Sequence, residues 1–200
     1  RRPARLRDVA ALVATHLPAD DPFHPWAARL AALDPPAGPT GTGASATSPT
    51  DAGSAGRGPG LLRGYLTGSI DAVLRVPGPA GPRFVVVDYK TNRLAPPDEP
   101  LTAWHYRPAA LVTAMTDAHY PLQLLLYTVA LHRYLRWRLP GYDPDRHLGG
   151  GAYLFVRGMC GPATPVVGDD PCGVLSWRPP TALVLALSAL LDGTADGAAS

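Results

Sequence analysis

The sequence predicts an α/β protein in which a central mixed β-sheet is flanked by helices, and three observations carry that expectation. Segments with helical spacing of apolar residues alternate with segments that read as strands, in the order helix, hairpin strands, helices, strand, helix. The stretch "PGPAGP", 77–82, can only be a turn, and it joins two strand-like runs. The chain of 200 residues has room for one ordinary domain with a proper core.

Leu6, Val9, Val13 and Leu17 recur at helical spacing and predict an amphipathic helix over 5–17. A short second helix follows over 25–33, with Pro25 near its first turn. Residues 1–33 thus form an N-terminal helical segment of the domain. Residues 34–60, "DPPAGPTGTGASATSPTDAGSAGRGPG", offer almost nothing to bury and read as a flexible linker or insert. The core is expected over 61–192. In "LLRGYLTGSIDAVLRV", Ile70, Ala72, Leu74 and Val76 face one way and Asp71, Val73 and Arg75 the other. "RFVVVDYK" is a second strand, apolar on both faces until Asp88. An extended connection over 91–101 leads to two helices, 108–118 and 121–138, the second closed by "LPGYDP". "GGGAYLFVRG", 149–158, reads as a strand with Tyr153, Phe155 and Arg157 on one side. A last helix over 180–191 precedes a Gly/Ala tail, 193–200, expected to be disordered.

Composition narrows the function classes. A formal net charge of +2 lacks the bulk basic signal of a DNA-coating protein, so any nucleic-acid contact must come from local patches. Cys160 and Cys172 fit no zinc spacing, and two thiols alone cannot hold a structural metal or an iron–sulfur cluster. They read as reduced thiols of a cytoplasmic protein. No charged-then-apolar leader opens the chain, and "ALVLALSALL" is far shorter than the roughly 20 residues that span a bilayer. A soluble protein with no membrane partner is expected. The start at Arg1 reads as part of a longer polypeptide.

Among 18 Lys+Arg residues, Lys90 is the single lysine, and it stands two positions after Asp88 at the end of an apolar strand. Opposed residues of an antiparallel pair share a constant index sum. If the 77–82 loop is symmetric, Val76 faces Arg83 and the sum is 76 + 83 = 159, which also pairs Asp71 with Asp88. Period two then brings Lys90 to the same face. Two directly opposed carboxylates repel. A divalent cation removes the penalty, and Mg²⁺ suits one or two carboxylates because it keeps several waters for substrate phosphates. A compact ammonium beside the ion can hold a water and stabilise charge on a phosphate. The competing reading is an Asp–Lys pair on a solvated face, and a register slip of one residue would favour it.

On the following helix, Gln123 and Tyr127 are four apart and share a face, where an amide and a phenol can bond a phosphate or a base edge. The plainer alternative is a helix with a partly buried tyrosine. The same helix carries His132, Arg133, Arg136 and Arg138, a local basic cluster able to meet phosphate. Arg133 and Arg136 are the weaker DNA-contact candidates. Trp104, Tyr134 and Trp137 could stack on bases, or simply pack.

"GSID" at 68–71, "DYKTN" at 88–92 and "QLLLY" at 123–127 together resemble three motifs of the RecB-type nuclease family, in order and at fitting spacing. The likeness extends over about 61–159. It implies a restriction-endonuclease-like PD-(D/E)xK core with one catalytic Mg²⁺ per site, for which Mn²⁺ can substitute. By resemblance, Asp71, Asp88 and the backbone carbonyl of Tyr89 hold the metal, Lys90 is the catalytic lysine, and Gln123 and Tyr127 contact DNA or brace the site. The implied activity is hydrolysis of linear DNA, as single strands from an unwound duplex, in a helicase–nuclease assembly with RecC- and RecD-like subunits. ATP would enter only through helicase parts, since no Walker-type glycine loop occurs here. The family also has a metal-binding histidine before the GxxD motif. Neither His16 nor His24 matches its context, so that ligand is expected upstream of Arg1. The alternative from another class is an inactive DNA-binding or subunit-docking module.

Overall fold

The computed structural model describes residues 4–34 and 68–193. Most of the expected linker, the start of the first strand segment and the tail from 194 onward lie outside the described residues.

The N-terminal helices are α1 (Leu6–His16) and α2 (Trp26–Ala32). The strands β1 (Ala72–Val76) and β2 (Arg83–Lys90) form the expected hairpin. Helices α3 (Pro108–Asp117) and α4 (Tyr120–Arg138) follow, then a single turn α5 (Pro144–His147) that leads into β3 (Leu148–Phe155). A small hairpin, β4 (Val166–Val167) and β5 (Asp170–Pro171), precedes β6 (Val174–Trp177) and the last helix α6 (Thr181–Asp192). Among the described residues, four strands make the central sheet in the order β1-β2-β3-β6. The outer pairs are antiparallel and the middle pair, β2 with β3, is parallel. The sheet is therefore mixed, as expected. No helix among the described residues is long and apolar enough to cross a membrane.

The β1–β2 ladder runs from Val76↔Arg83 to Ala72↔Val87, which is the index sum read from the loop. The β2–β3 ladder contains a bulge. Phe84 pairs with Leu148 but Val86 pairs with Gly151, so β3 spends one residue more than β2 across this step. Gly150 supplies it at φ +77°, and a Cβ there would lie 2.4 Å from the carbonyl oxygen of Trp177, so only glycine fits. Beyond the bulge Asp88 pairs with Tyr153 and Lys90 with Phe155.

The N-terminal segment belongs to the same core as the sheet. Val9, Val13, Phe23, Trp26 and Leu30 are buried in one cluster with Leu124, Tyr153, Phe155 and Trp177. Phe23 meets Trp177 edge-on at 4.9 Å, and the Trp177 indole donates to Asp21 at 3.0 Å. Trp26 donates from Nε1 to Nδ1 of His119, which precedes α4 in the left-handed region at φ 54°. This bond ties the N-terminal segment to the entry of α4.

Two expectations need correction. The strand expected over 149–158 stops at Phe155, and Val156–Gly158 turns as a 3₁₀ helix. Arg157 therefore leaves the face of Tyr153 and Phe155 and donates from Nε to the Thr91 carbonyl at 2.7 Å. The edge strand β6 was not expected at all. Its four residues follow a glycine with positive φ and are too few to show a period.

Candidate active site

The site is built where β2 leaves the sheet and the first turns of α4 cross it. Alternation along β2 puts Asp88 and Lys90 on one face, while the Tyr89 side chain between them is exposed on the other. Lys90 Nζ lies 2.5 Å from Asp88 Oδ1, with the two side chains 11% and 6% exposed. The approach is that of an ion pair without hydrogen-bond alignment, so Asp88 Oδ1 is a buried oxygen lacking a hydrogen-bond partner among the described residues. A solvated Asp–Lys pair would not look like this.

Asp71 stands one step beyond the last ladder pair rather than inside it. Its Oδ2 accepts the backbone N–H of Tyr89 at 2.9 Å, and the residue is exposed. At the ladder's end Asp71 is thus bonded to the Tyr89 backbone, and Asp88 is paired with Lys90. The Asp71 carboxylate takes over the donor that the next ladder position would have bonded.

Helix α4 supplies the rest. Pro121 occupies its first turn, where a missing N–H costs nothing. Gln123 then points its amide at the strand end, and Oε1 accepts from Lys90 Nζ at 3.0 Å and from the Tyr153 hydroxyl at 3.1 Å. Its Nε2 donates to the Tyr127 hydroxyl at 3.1 Å, one turn further on. Tyr127 in turn lies close to Gly68, where a Cβ would sit 3.3 Å from its ring. The three sequence motifs therefore meet through direct contacts.

Two residues escaped the sequence reading. Tyr120 places its ring under Lys90, with Nζ 3.9 Å from the centroid. Tyr153 stacks on Tyr120 at 5.8 Å and donates to the Tyr120 carbonyl at 3.1 Å as well as to Gln123. Burial, and then the charge of Asp88, push the Tyr153 phenol well above its ordinary range, so it remains a hydrogen-bond donor. Its presence depends on the β3 bulge. If the same residues paired without a bulge, Ala152 would face Asp88 and Tyr153 would point to the opposite face. The sequence signal was available only as a tyrosine on a strand following three glycines.

Of the weaker candidates, Arg133 is engaged elsewhere. Its guanidinium donates to Ser188 Oγ at 3.1 Å and to the Ser188 carbonyl at 2.8 Å, and pairs with Asp192 at 2.8 Å, tying α4 to α6. Those contacts commit most of its donors to α6. Arg136 is exposed near the far end of α4, away from Lys90.

The donor set fits a hard, oxygen-preferring cation. It offers two carboxylates at the end of one strand pair, one exposed and one buried beside the Lys90 ammonium. Among the described residues no group of three or more His, Cys, Asp and Glu gathers, so a metal would rest on these two carboxylates and backbone oxygen.

Known proteins resemble this chain over much of its length. The profile described as the PD-(D/E)XK nuclease superfamily matches residues 2–169. The chain is 53% identical over 192 residues, 96% of its length, to the RecBCD enzyme subunit RecB of Mycolicibacterium smegmatis, covering 15% of that protein. It is 54% identical over 187 residues, 94% of its length, to RecB of Mycobacterium tuberculosis, covering 14%. With RecB of Escherichia coli the identity is 46% over 98 residues, 49% of the chain and 8% of that protein. The chain thus spans about a seventh of the length of the first two relatives.

Proposed function

The chain belongs to the PD-(D/E)XK nuclease superfamily, and from that premise we propose that it hydrolyses phosphodiester bonds of linear DNA in a Mg²⁺-dependent reaction. The observation that carries this reading is the buried Lys90–Asp88 pair held against Gln123 beside Asp71.

Asp71, Asp88 and the backbone carbonyl of Tyr89 would hold the cation, which supplies neutralisation of phosphate charge and acidification of water when bound. The chain's own groups do the remaining work. Lys90 presents an ammonium whose position is fixed by Asp88, by the Gln123 amide oxygen and by the Tyr120 ring. A cation so placed stabilises the charge that develops on the scissile phosphate without reorganising at the moment of reaction. Gln123 and Tyr127 brace it and border the phosphate path.

Likeness to RecB over most of the chain supports a wider setting. The nuclease works in the cytoplasm as the end of a helicase–nuclease in double-strand break repair, on single strands unwound by ATP-driven parts outside this chain. RecC- and RecD-like subunits complete the assembly. Mn²⁺ substitutes for Mg²⁺.

The test is cleavage of linear single-stranded DNA by the full-length protein carrying this chain, with Mg²⁺ or Mn²⁺, beside Asp88→Ala and Lys90→Ala. Each variant should lose on the order of 10²-fold or more in rate. Variants that cut as fast as the parent would sink the reading, as would a parent with no metal-dependent cleavage.

A further inference from the structure

The face of α4 that carries Gln123 and Tyr127 does not end with them. At roughly 100° per residue, Gln123, Tyr127, Ala130, Tyr134, Trp137 and Arg138 fall within one stripe about 100° wide. The buried residues of the helix, among them Leu124, Thr128, Leu131 and Leu135, occupy the opposite arc. Past Tyr127 the stripe is open to solvent: Ala130, Tyr134 and Arg138 are exposed, and Trp137 is 76% exposed. A tryptophan this exposed contributes little to packing within this chain. Arg138 lies over the indole at 5.0 Å, and Arg136 borders a hollow at the same helix end with Pro140 and Tyr142.

We propose that this stripe is a track for single-stranded DNA, leading from the scissile position at Lys90 to an aromatic platform at Tyr134 and Trp137. The proposal rests on the nuclease reading above and adds to it where the strand lies. Charge argues for a polyanion: α4 contains no acidic residue, and its charged side chains are all basic. Chemistry argues for unpaired bases: exposed rings beside guanidinium groups stack on bases and meet the neighbouring phosphates, whatever the sequence. Continuity argues for the substrate strand, because the platform shares its helix face with the residues bonded to Lys90. The distance is workable. Gln123 and Trp137 are separated by about 21 Å along the axis, about six nucleotides at a stacked spacing of about 3.4 Å and fewer in a stretched strand.

The experiment uses the full-length protein in EDTA, so that strand placement is read without cleavage. A single-stranded oligonucleotide carrying 5-iododeoxyuridine is bound, irradiated and mapped by peptide sequencing. Adducts on Tyr134 or Trp137 are expected, and they should disappear in the Tyr134→Ala/Trp137→Ala double variant. Both side chains are exposed, so the variant should fold as the parent does by circular dichroism. In Mg²⁺, the KM for short single strands should rise roughly 5- to 150-fold for each lost stacking partner, with kcat little changed, and Trp137→Phe should restore most of it. Adducts confined to other residues, together with an unchanged KM, would overturn the track. So would protection of Trp137 by a protein partner, which would make the stripe a docking face. A parent that binds and crosslinks but never cleaves would sink the nuclease reading alone.

Discussion

The Oε1 atom of Gln123 lies 3.0 Å from Nζ of Lys90, a helix side chain holding the ammonium of a strand 33 positions earlier. The same oxygen accepts the Tyr153 hydroxyl, so one amide couples the helix to two strands. A lysine on a strand end ordinarily samples several rotamers. Here three partners leave it one.

Replacing Gln123 with Leu removes that acceptor while keeping most of the volume. Cleavage should fall about 10- to 100-fold in kcat. The Mg²⁺ concentration for half-maximal rate should stay within about twofold, because neither carboxylate is touched. A shift in the metal requirement with an unchanged maximal rate would contradict this assignment.

Tyr153→Phe deletes a hydroxyl that serves the Tyr120 carbonyl and Gln123. Leaving buried acceptors short of a donor should cost about 1–3 kcal/mol in chemical denaturation. The parent protein should also retain at least two tyrosines that fail to ionise near pH 10 in a spectroscopic titration, Tyr142, pushed up by burial to about 12, and Tyr153, higher still, and the variant should lose one of them. Equal stability and identical titrations would show that the hydroxyl is idle.

Gly68→Val tests the contact between the GSID motif and Tyr127. Even a methyl group would meet the ring at 3.3 Å, so valine must displace it. Because Gly68 is exposed, stability should change by less than about 0.5 kcal/mol while activity drops by about 10-fold. Full activity would mean that Tyr127 can move without consequence.

His132 sets an acid limit. Burial first, then the charges of Arg136 and Arg133, hold its pKa below the ordinary 6.5, and its Nδ1 faces the Tyr142 hydroxyl at 2.9 Å. Below pH 6.5 the unfolded chain binds the proton that the folded one refuses. Stability from this group is complete above 6.5 and declines as pH falls from there toward the lower folded value. The slope cannot exceed one proton, about 1.4 kcal/mol per pH unit. His132→Gln should flatten that portion of a denaturation-versus-pH curve, and an unchanged slope would assign the acid sensitivity elsewhere.

The parts legible in the sequence were those governed by local rules. The bounds of β2 follow from an apolar run closed by charges, and the hairpin register follows from the symmetry of one loop. Asp88, Lys90, Gln123 and Tyr127 were legible as spacings of two and four. Tyr120 and Tyr153 were not, because their contacts with Lys90 cross between elements, and that of Tyr153 depends on a parallel register that no local period encodes. The contacts of Arg133 were hidden for the same reason: its partners Ser188 and Asp192 lie more than fifty positions away on α6. Asp71 was placed on the correct register but one step too far inside the ladder, since strand ends are decided by which donor finds which acceptor.

The extra residue in β3 also determines where this chain can change length. The loop between β1 and β2 and the connection from β2 to α3 touch neither side of the β2–β3 ladder, so residues gained or lost there leave Tyr153 beside Asp88. The step from Leu148 to Gly151 is different, because the ladder itself absorbs the count there. Loss of the bulged residue would make the ladder regular and still leave Tyr153 opposite Asp88, without the bend and added twist that the bulge imposes. In this sheet the three glycines shape the strand where it approaches the site.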